Sequence, residues 1–128
     1  KILGQVVFSE GRCLPGLGVK EFDDWRSVYI AAPNVPAQVL RGLARYAGVH
    51  LYNEEGDVLY ATPDLLAVHT VAGGDRIFRL PGHVEVVHDL FNEQPVAADT
   101  DVLNVRLEPA STSLYYTGTR QGLEALDI

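Results

Sequence analysis

The chain has no methionine and one cysteine, and no apolar run approaches the ~20 residues that a membrane-spanning helix requires. A lone Cys13 excludes an intrachain disulfide and a zinc site built from thiolates. It leans towards a reducing, cytoplasmic compartment, although many secreted bacterial proteins also lack disulfides. Basic residues are scarce, ten Lys and Arg against seventeen Asp and Glu, for a net charge of −7. Nucleic acid and anionic membrane are therefore poor partners, because both require clustered cations. The phosphate-cradling glycine motifs are missing: Gly16-Leu17-Gly18 lacks a third glycine at the right spacing and a following helix. There is no nucleophile elbow and no paired-histidine zinc helix. The start at Lys1-Ile2-Leu3, without an initiator, leads us to expect a processed chain or a piece of a longer protein.

What is present is ordinary globular composition, 47% hydrophobic and 21% charged over 128 residues. That suffices for one compact unit and is too short for a catalytic barrel of about 250 residues. Gln5 to Phe8 and Ser27 to Ala32 read as strands, and the glycine-rich stretch 11–24 between them reads as a loop. Pro36 opens a helix whose apolar stripe is Val39, Leu40, Leu43, Ala44 and Ala47, stopped by Gly48. With Val49 to Tyr52 as a strand, the pattern is strand–helix–strand, which predicts a parallel pair.

Beyond residue 52 the period changes to two. Hairpins are expected between 50–52 and 58–60, and between Leu65–Val71 and Arg76–Leu80 across Gly73-Gly74. Val84 to Leu90, Val102 to Leu107 and Ser113 to Thr117 complete a set of short strands of sandwich type. Leu103, Val105 and Leu107 share one face of their strand. The expected architecture is thus α+β: a small βαβ-like N-terminal part with one main helix (1–52), packed on a C-terminal antiparallel β-sandwich (53–118), with a tail at 119–128. The expected core comprises Val28, Ile30, Phe78, Leu103, Val105 and Leu107, with Val39, Leu40 and Leu43 of the helix covering a sheet.

Candidate chemistry is sparse. Asp23, Trp25 and Arg26 combine acids, a flat apolar ring and a guanidinium, the groups a sugar site uses, with a buried anchoring Trp25 as the simpler alternative. His83, Glu85, Val87 and Asp89 would share a strand face, but no further metal ligands converge on them. His50 and His69 lie in apolar stretches and read as core or partner-facing residues. Tyr115 and Tyr116 are adjacent on a strand, so one is expected inside and the other at the surface or an interface. Cys13 has no identifiable activating base. No cofactor is implied, and no residue is assigned to catalysis or to a metal.

Two blocks carry a family resemblance. Ser27-Val28-Tyr29-Ile30-Ala31-Ala32-Pro33-Asn34-Val35-Pro36, then Leu40, Ala44 and Ala47-Gly48-Val49-His50-Leu51-Tyr52, resembles the end of an amidotransferase-like, trimerisation-type α/β region in β-galactosidase-like glycoside hydrolases. Leu65-Leu66-Ala67-Val68-His69, Arg79-Leu80-Pro81, Val86-Val87-His88-Asp89-Leu90-Phe91, Val105-Arg106-Leu107 and Leu114-Tyr115-Tyr116 are similar to the small β-sandwich that closes many such enzymes. The resemblance covers about residues 27 to 118 and implies a non-catalytic accessory or assembly domain. Its partner would be a parent catalytic domain or identical subunits. The family's catalytic glutamates have no counterpart here. A carbohydrate-binding module is the alternative, and a small enzyme with an unrecognised site the third reading.

Overall fold

The computed structural model describes residues 1–126 and gives an α+β fold dominated by sheet. It divides into two units, Lys1–Leu43 and Ala44–Ile128.

The first unit is an antiparallel meander of β1 (Ile2–Val7), β2 (Cys13–Glu21) and β3 (Arg26–Ile30), in the order β1-β2-β3. The stretch expected to be a loop therefore supplies the central strand. Its glycines are what permit it: a Cβ on Gly16 would lie 2.5 Å from Val6 Cγ2, so the close approach of β1 requires a glycine there. The amino terminus is tied down, with the Lys1 ammonium donating to the Val19 carbonyl at 2.7 Å.

The main helix, α1 (Ala37–Tyr46), forms where its apolar period places it. It ends in a Schellman motif: Val49 N–H donates to Ala44 C=O at 2.8 Å and Gly48 N–H to Arg45 C=O at 3.0 Å. Gly48 takes φ 74°, where a side chain would be strained. The expected βαβ unit is not formed. Residues 49–52 have no strand partner, and the strands before the helix pair antiparallel with one another. No residue of α1 is buried and Leu40 is exposed, which corrects the expected helix-to-core packing.

The second unit holds β4 (Val58–Ala61), β5 (Leu65–Thr70), β6 (Gly74–Asp89), β7 (Gln94–Leu107) and β8 (Ser111–Gly118), with a short α2 (Arg120–Glu124). All pairs are antiparallel, in the order β4-β5-β8-β6-β7. One hydrogen-bonded sheet supplies both layers of the core. The first half of β6 pairs only with the end of β7, whereas its second half pairs with both β7 and β8. Phe78, Leu80, Leu103 and Leu107 from the former region join Leu66, Val68, Val87 and Tyr115 in one buried cluster, so the sheet folds over on itself.

The alternation read from Val102–Leu107 holds, with Leu103 and Leu107 buried and Val105 packed against the cluster. The two expected hairpins are replaced. β4 pairs with β5, and β5 pairs with β8 instead of β6. Gly73, φ 65°, turns the chain between layers against Pro109, whose nitrogen would lie 2.6 Å from any Cβ at residue 73. Val86 and Val87 are both buried though consecutive, and only Val87 joins the core cluster; the register shift that follows them leaves the extra residue, Val96, in β7. Tyr115 and Tyr116 are likewise both buried, correcting the expected inside–outside split. The Tyr116 hydroxyl is satisfied by donating to Thr119 C=O at 3.0 Å. The terminal tail forms α2, capped by Thr119, whose hydroxyl accepts from Gly122 N–H at 3.1 Å. Ile128 of the expected apolar tail lies outside the described residues.

Candidate functional site

The turn from β2 to β3 carries a preorganised aromatic pair. Phe22 N–H donates to Trp25 C=O at 2.9 Å and closes the loop Phe22-Asp23-Asp24-Trp25. The two rings stack with centroids 4.0 Å apart and planes within 6°. The Lys20 ammonium sits 4.7 Å from the Phe22 centroid, so the order is cation, phenyl, indole. Trp25 is 56% exposed, which answers the simpler expectation of a buried anchor. Asp23 and Asp24 stand exposed at the tip of the same turn. Arg26 opens β3 and faces Glu21 across the hairpin at 3.6 Å. The structure thus places Asp23 with Trp25 in one turn and Arg26 beside Glu21 at the start of β3.

Below this turn, both faces of the three-stranded sheet are apolar. Strand pairing puts Leu17 beside Ile30 and Val19 beside Val28 on one face. On the other, Ile2 and Tyr29 flank Gly18, and Val6 lies beside Leu14. Neither face is closed by the unit's own side chains. Gly16 is the one buried residue in positions 1–43, while Ile2, Leu3, Val7, Leu14, Val28 and Tyr29 are exposed. The expected core residues Val28 and Ile30 are accordingly surface and half-buried. A sheet that must face water on one side ordinarily alternates apolar with polar, and this one does not.

The buried ionisable groups of the second unit are committed to structure. Asp57 accepts from Arg76 Nε at 2.7 Å and Nη2 at 3.3 Å, and from Asn53 Nδ2 at 3.1 Å. The Asp57 and Arg76 side chains are 5% and 10% exposed. Burial pushes the Asp57 carboxyl up, but hydrogen bonds from Arg76, Thr70 and Asn53 and the Arg76 charge outweigh it, leaving its pKa below the ordinary carboxylate value. Asp89 closes the β6–β7 turn: Oδ1 accepts from the N–H groups of Phe91 and Asn92 at 3.0 and 3.1 Å, and Oδ2 from Asn92 Nδ2 at 2.8 Å. Burial raises the Tyr115 hydroxyl pKa, a Ser113 hydrogen bond opposes this, and the Asp89 charge adds to the rise.

The histidines do not converge. His50 Nε2 lies 2.7 Å from Arg79 C=O and His69 Nδ1 lies 2.9 Å from Thr112 Oγ1, both in exposed positions. His83 is exposed, and Glu85 accepts from Arg120 N–H at 3.0 Å. Among the described residues no group of three or more His, Cys, Asp or Glu is placed to hold a metal ion. Cys13 is exposed, with the Gly11 carbonyl as its hydrogen-bond partner.

Open grooves mark the second unit. One of about 390 Å³ is floored by Val86, Val96, Ala97 and Ala98 beside Arg120. Another, about 250 Å³, lies between Leu51–Glu55 and Ile77 and Arg79. Neither of these grooves gathers a nucleophile, a base and an orienting group among the described residues. No helix among the described residues is long and apolar enough to cross a membrane. No protein-family model, curated protein or solved structure matches the chain.

Proposed function

We propose that this chain is a non-catalytic accessory and assembly domain, of the kind that ends β-galactosidase-like glycoside hydrolases. Its work is to dock its N-terminal sheet against another protein surface. The observation that carries this is the sheet with apolar side chains on both faces and no buried hydrophobic side chain of its own. At 43 residues, without a disulfide, such a unit gains little stability alone and much by being covered. The dispersal of the exposed ionisable groups, and the structural engagement of the buried ones, support a binding role.

The test uses the isolated chain. It is expected to bind the apolar dye ANS in native buffer and to hydrolyse no nitrophenyl glycoside. Hydrolysis that survives purification and is lost in Asp23→Asn, or an absence of dye binding, overturns the reading.

The stacked, half-exposed Trp25 favours a second reading, a carbohydrate contact. A rigid indole loses little side-chain entropy when a sugar face settles on it, and Asp23 is at hand for hydroxyls. Arg26 belongs to this reading only if it leaves Glu21. Affinity electrophoresis on a panel of polysaccharides separates the two. Retardation abolished by Trp25→Ala supports sugar binding, and unretarded migration supports docking alone.

A further inference from the structure

The first half of β6 has β7 on one side only, and among the described residues no strand pairs with its other edge. Residues 50–57 lie along that edge. Arg79 N–H donates to Tyr52 C=O at 2.8 Å. His50 Nε2 faces a carbonyl, which can only accept, and so donates to Arg79 C=O at 2.7 Å. Both outward groups of Arg79 are therefore held by this segment. Alternation in an antiparallel pair turns the groups of Phe78 the other way, to Leu103 of β7. Ile77 shares the parity of Arg79, and there the segment stands off, leaving the groove of about 250 Å³ between residues 51–55 and β6. Covering an edge with a loop is one way a sheet is kept from recruiting another strand.

The segment is fastened unequally. Of its backbone, only Tyr52 C=O bonds to β6, and the Tyr52 side chain packs against the core cluster. Its far end is held by side chains. Asp57 accepts from Arg76 Nε and Nη2, and Asn53 Nδ2 donates to the same carboxylate from within the segment. Arg76 Nη2 also donates to Thr70 Oγ1 of β5 at 3.2 Å. The pair of Glu54 with Arg45 of α1 is exposed on both sides and does not reach the sheet. The Asp57–Arg76 pair is nearly closed to solvent. Such a pair holds only while both charges are present, because losing one leaves the other unpaired out of water. Moving the segment would hydrate Arg76 at the loss of one backbone bond, whereas opening the sheet would break the β6–β7 ladder.

We infer that residues 50–57 form a strap that closes the edge of β6 and opens as a unit without unfolding the sheet, with the Asp57–Arg76 pair as its latch. Opening uncovers the outward backbone groups of Arg79 and the part of the core cluster that Tyr52 covers. The strap lies wholly within the second unit, so its failure would leave the docking sheet of the first untouched.

Native-state amide hydrogen exchange of the whole chain, read by NMR at increasing urea below the unfolding transition, tests this at two neighbouring amides. Arg79 N–H is held by the strap and Phe78 N–H by β7. The Arg79 protection factor should lie roughly tenfold or more below that of Phe78 and vary little with urea, because opening the strap exposes little surface. The Phe78 protection should fall with urea as global unfolding does. Asp57→Asn keeps the size of the side chain and removes its charge. It should lower the ratio of Arg79 to Phe78 protection by a further factor of roughly ten or more. Should that variant fail to fold, the urea dependence in the unmutated chain decides alone. Equal protection of the two amides with one urea dependence overturns the strap, as does an Arg79 amide with no protection at all. An Asp57→Asn chain with an unchanged ratio overturns the latch.

Discussion

Ile77 and Phe78 are adjacent, both large and apolar, and the fold assigns them opposite fates. Phe78 is fully buried opposite Leu103, whereas Ile77 is 52% exposed opposite Asn104. Truncating Phe78 to Ala removes a ring from the centre of the cluster formed by Leu66, Val68, Val87 and Leu107. The transfer contribution of a buried Phe is about 1.5–3 kcal/mol, and the cavity left behind brings the total to about 3–5 kcal/mol. Ile77→Thr keeps a β-branched residue on the strand and loses only half-exposed methyl surface, so its cost should stay near 0.5 kcal/mol. The assay is urea unfolding at 25 °C followed by far-ultraviolet circular dichroism, since the single tryptophan lies in the other unit and does not report on this core. The expected result is a midpoint far lower for Phe78→Ala and nearly unchanged for Ile77→Thr, with similar slopes. Equal losses, or a larger loss at residue 77, would mean that β6 is registered one residue away from the position described, because a one-residue slip exchanges the faces of a strand.

Gly73→Ala should destabilise the second unit by more than about 1 kcal/mol, since φ 65° and the backbone of Pro109 both reject a Cβ; a chemical denaturation series reads it. Asp89→Ala leaves the N–H groups of Phe91 and Asn92 without their acceptor and should cost about 1–2 kcal/mol by the same measurement, with Asp89→Asn recovering part of it. The folded-state pKa of Asp57 is depressed, so in acid the unfolded chain binds the proton first and stability rises with pH across that range. The Asp57 contribution is thus complete above the ordinary carboxylate pKa of about 3.9 and is lost as pH falls through its lower folded value. Asp57→Asn should flatten the stability–pH profile in that acid window, which acid titration followed by circular dichroism detects.

The sequence was most legible where a segment's own period decides its structure. The stripe Val39, Leu40, Leu43 and Ala44 marks the helix, and Leu103, Val105 and Leu107 mark a core-facing strand. It was least legible where partners decide. Residues 49–52 are β-prone, but a strand exists only by pairing, and here Arg79 N–H donates to Tyr52 C=O at 2.8 Å without forming a ladder. Gly16, Gly18 and Pro15 read as loop-formers, yet the close approach of Val6 uses the missing Cβ of Gly16. Nothing local indicates that β8 inserts between β5 and β6, which is why Gly73-Gly74 resembled a hairpin turn. The Asp57–Arg76 pair spans 19 positions and leaves no periodic trace. Asp89 reads from alternation as one of a strand face with His83 and Glu85, but its carboxylate caps its own turn, Asp-Leu-Phe-Asn. At the candidate site, Asp23, Trp25 and Arg26 are close in the chain, but the turn holds Asp23 and Trp25 while Arg26 begins the strand and pairs with Glu21.

The central claim is that the N-terminal sheet lacks a self-sufficient core and is made to be covered. Amide hydrogen exchange on the whole chain, diluted until it is monomeric, tests it directly. The account predicts that β1, β2 and β3 exchange orders of magnitude faster than β5, the second half of β6, and β8, whose protection approaches that of global unfolding. Equal protection of the two sets of strands in the monomer would contradict it.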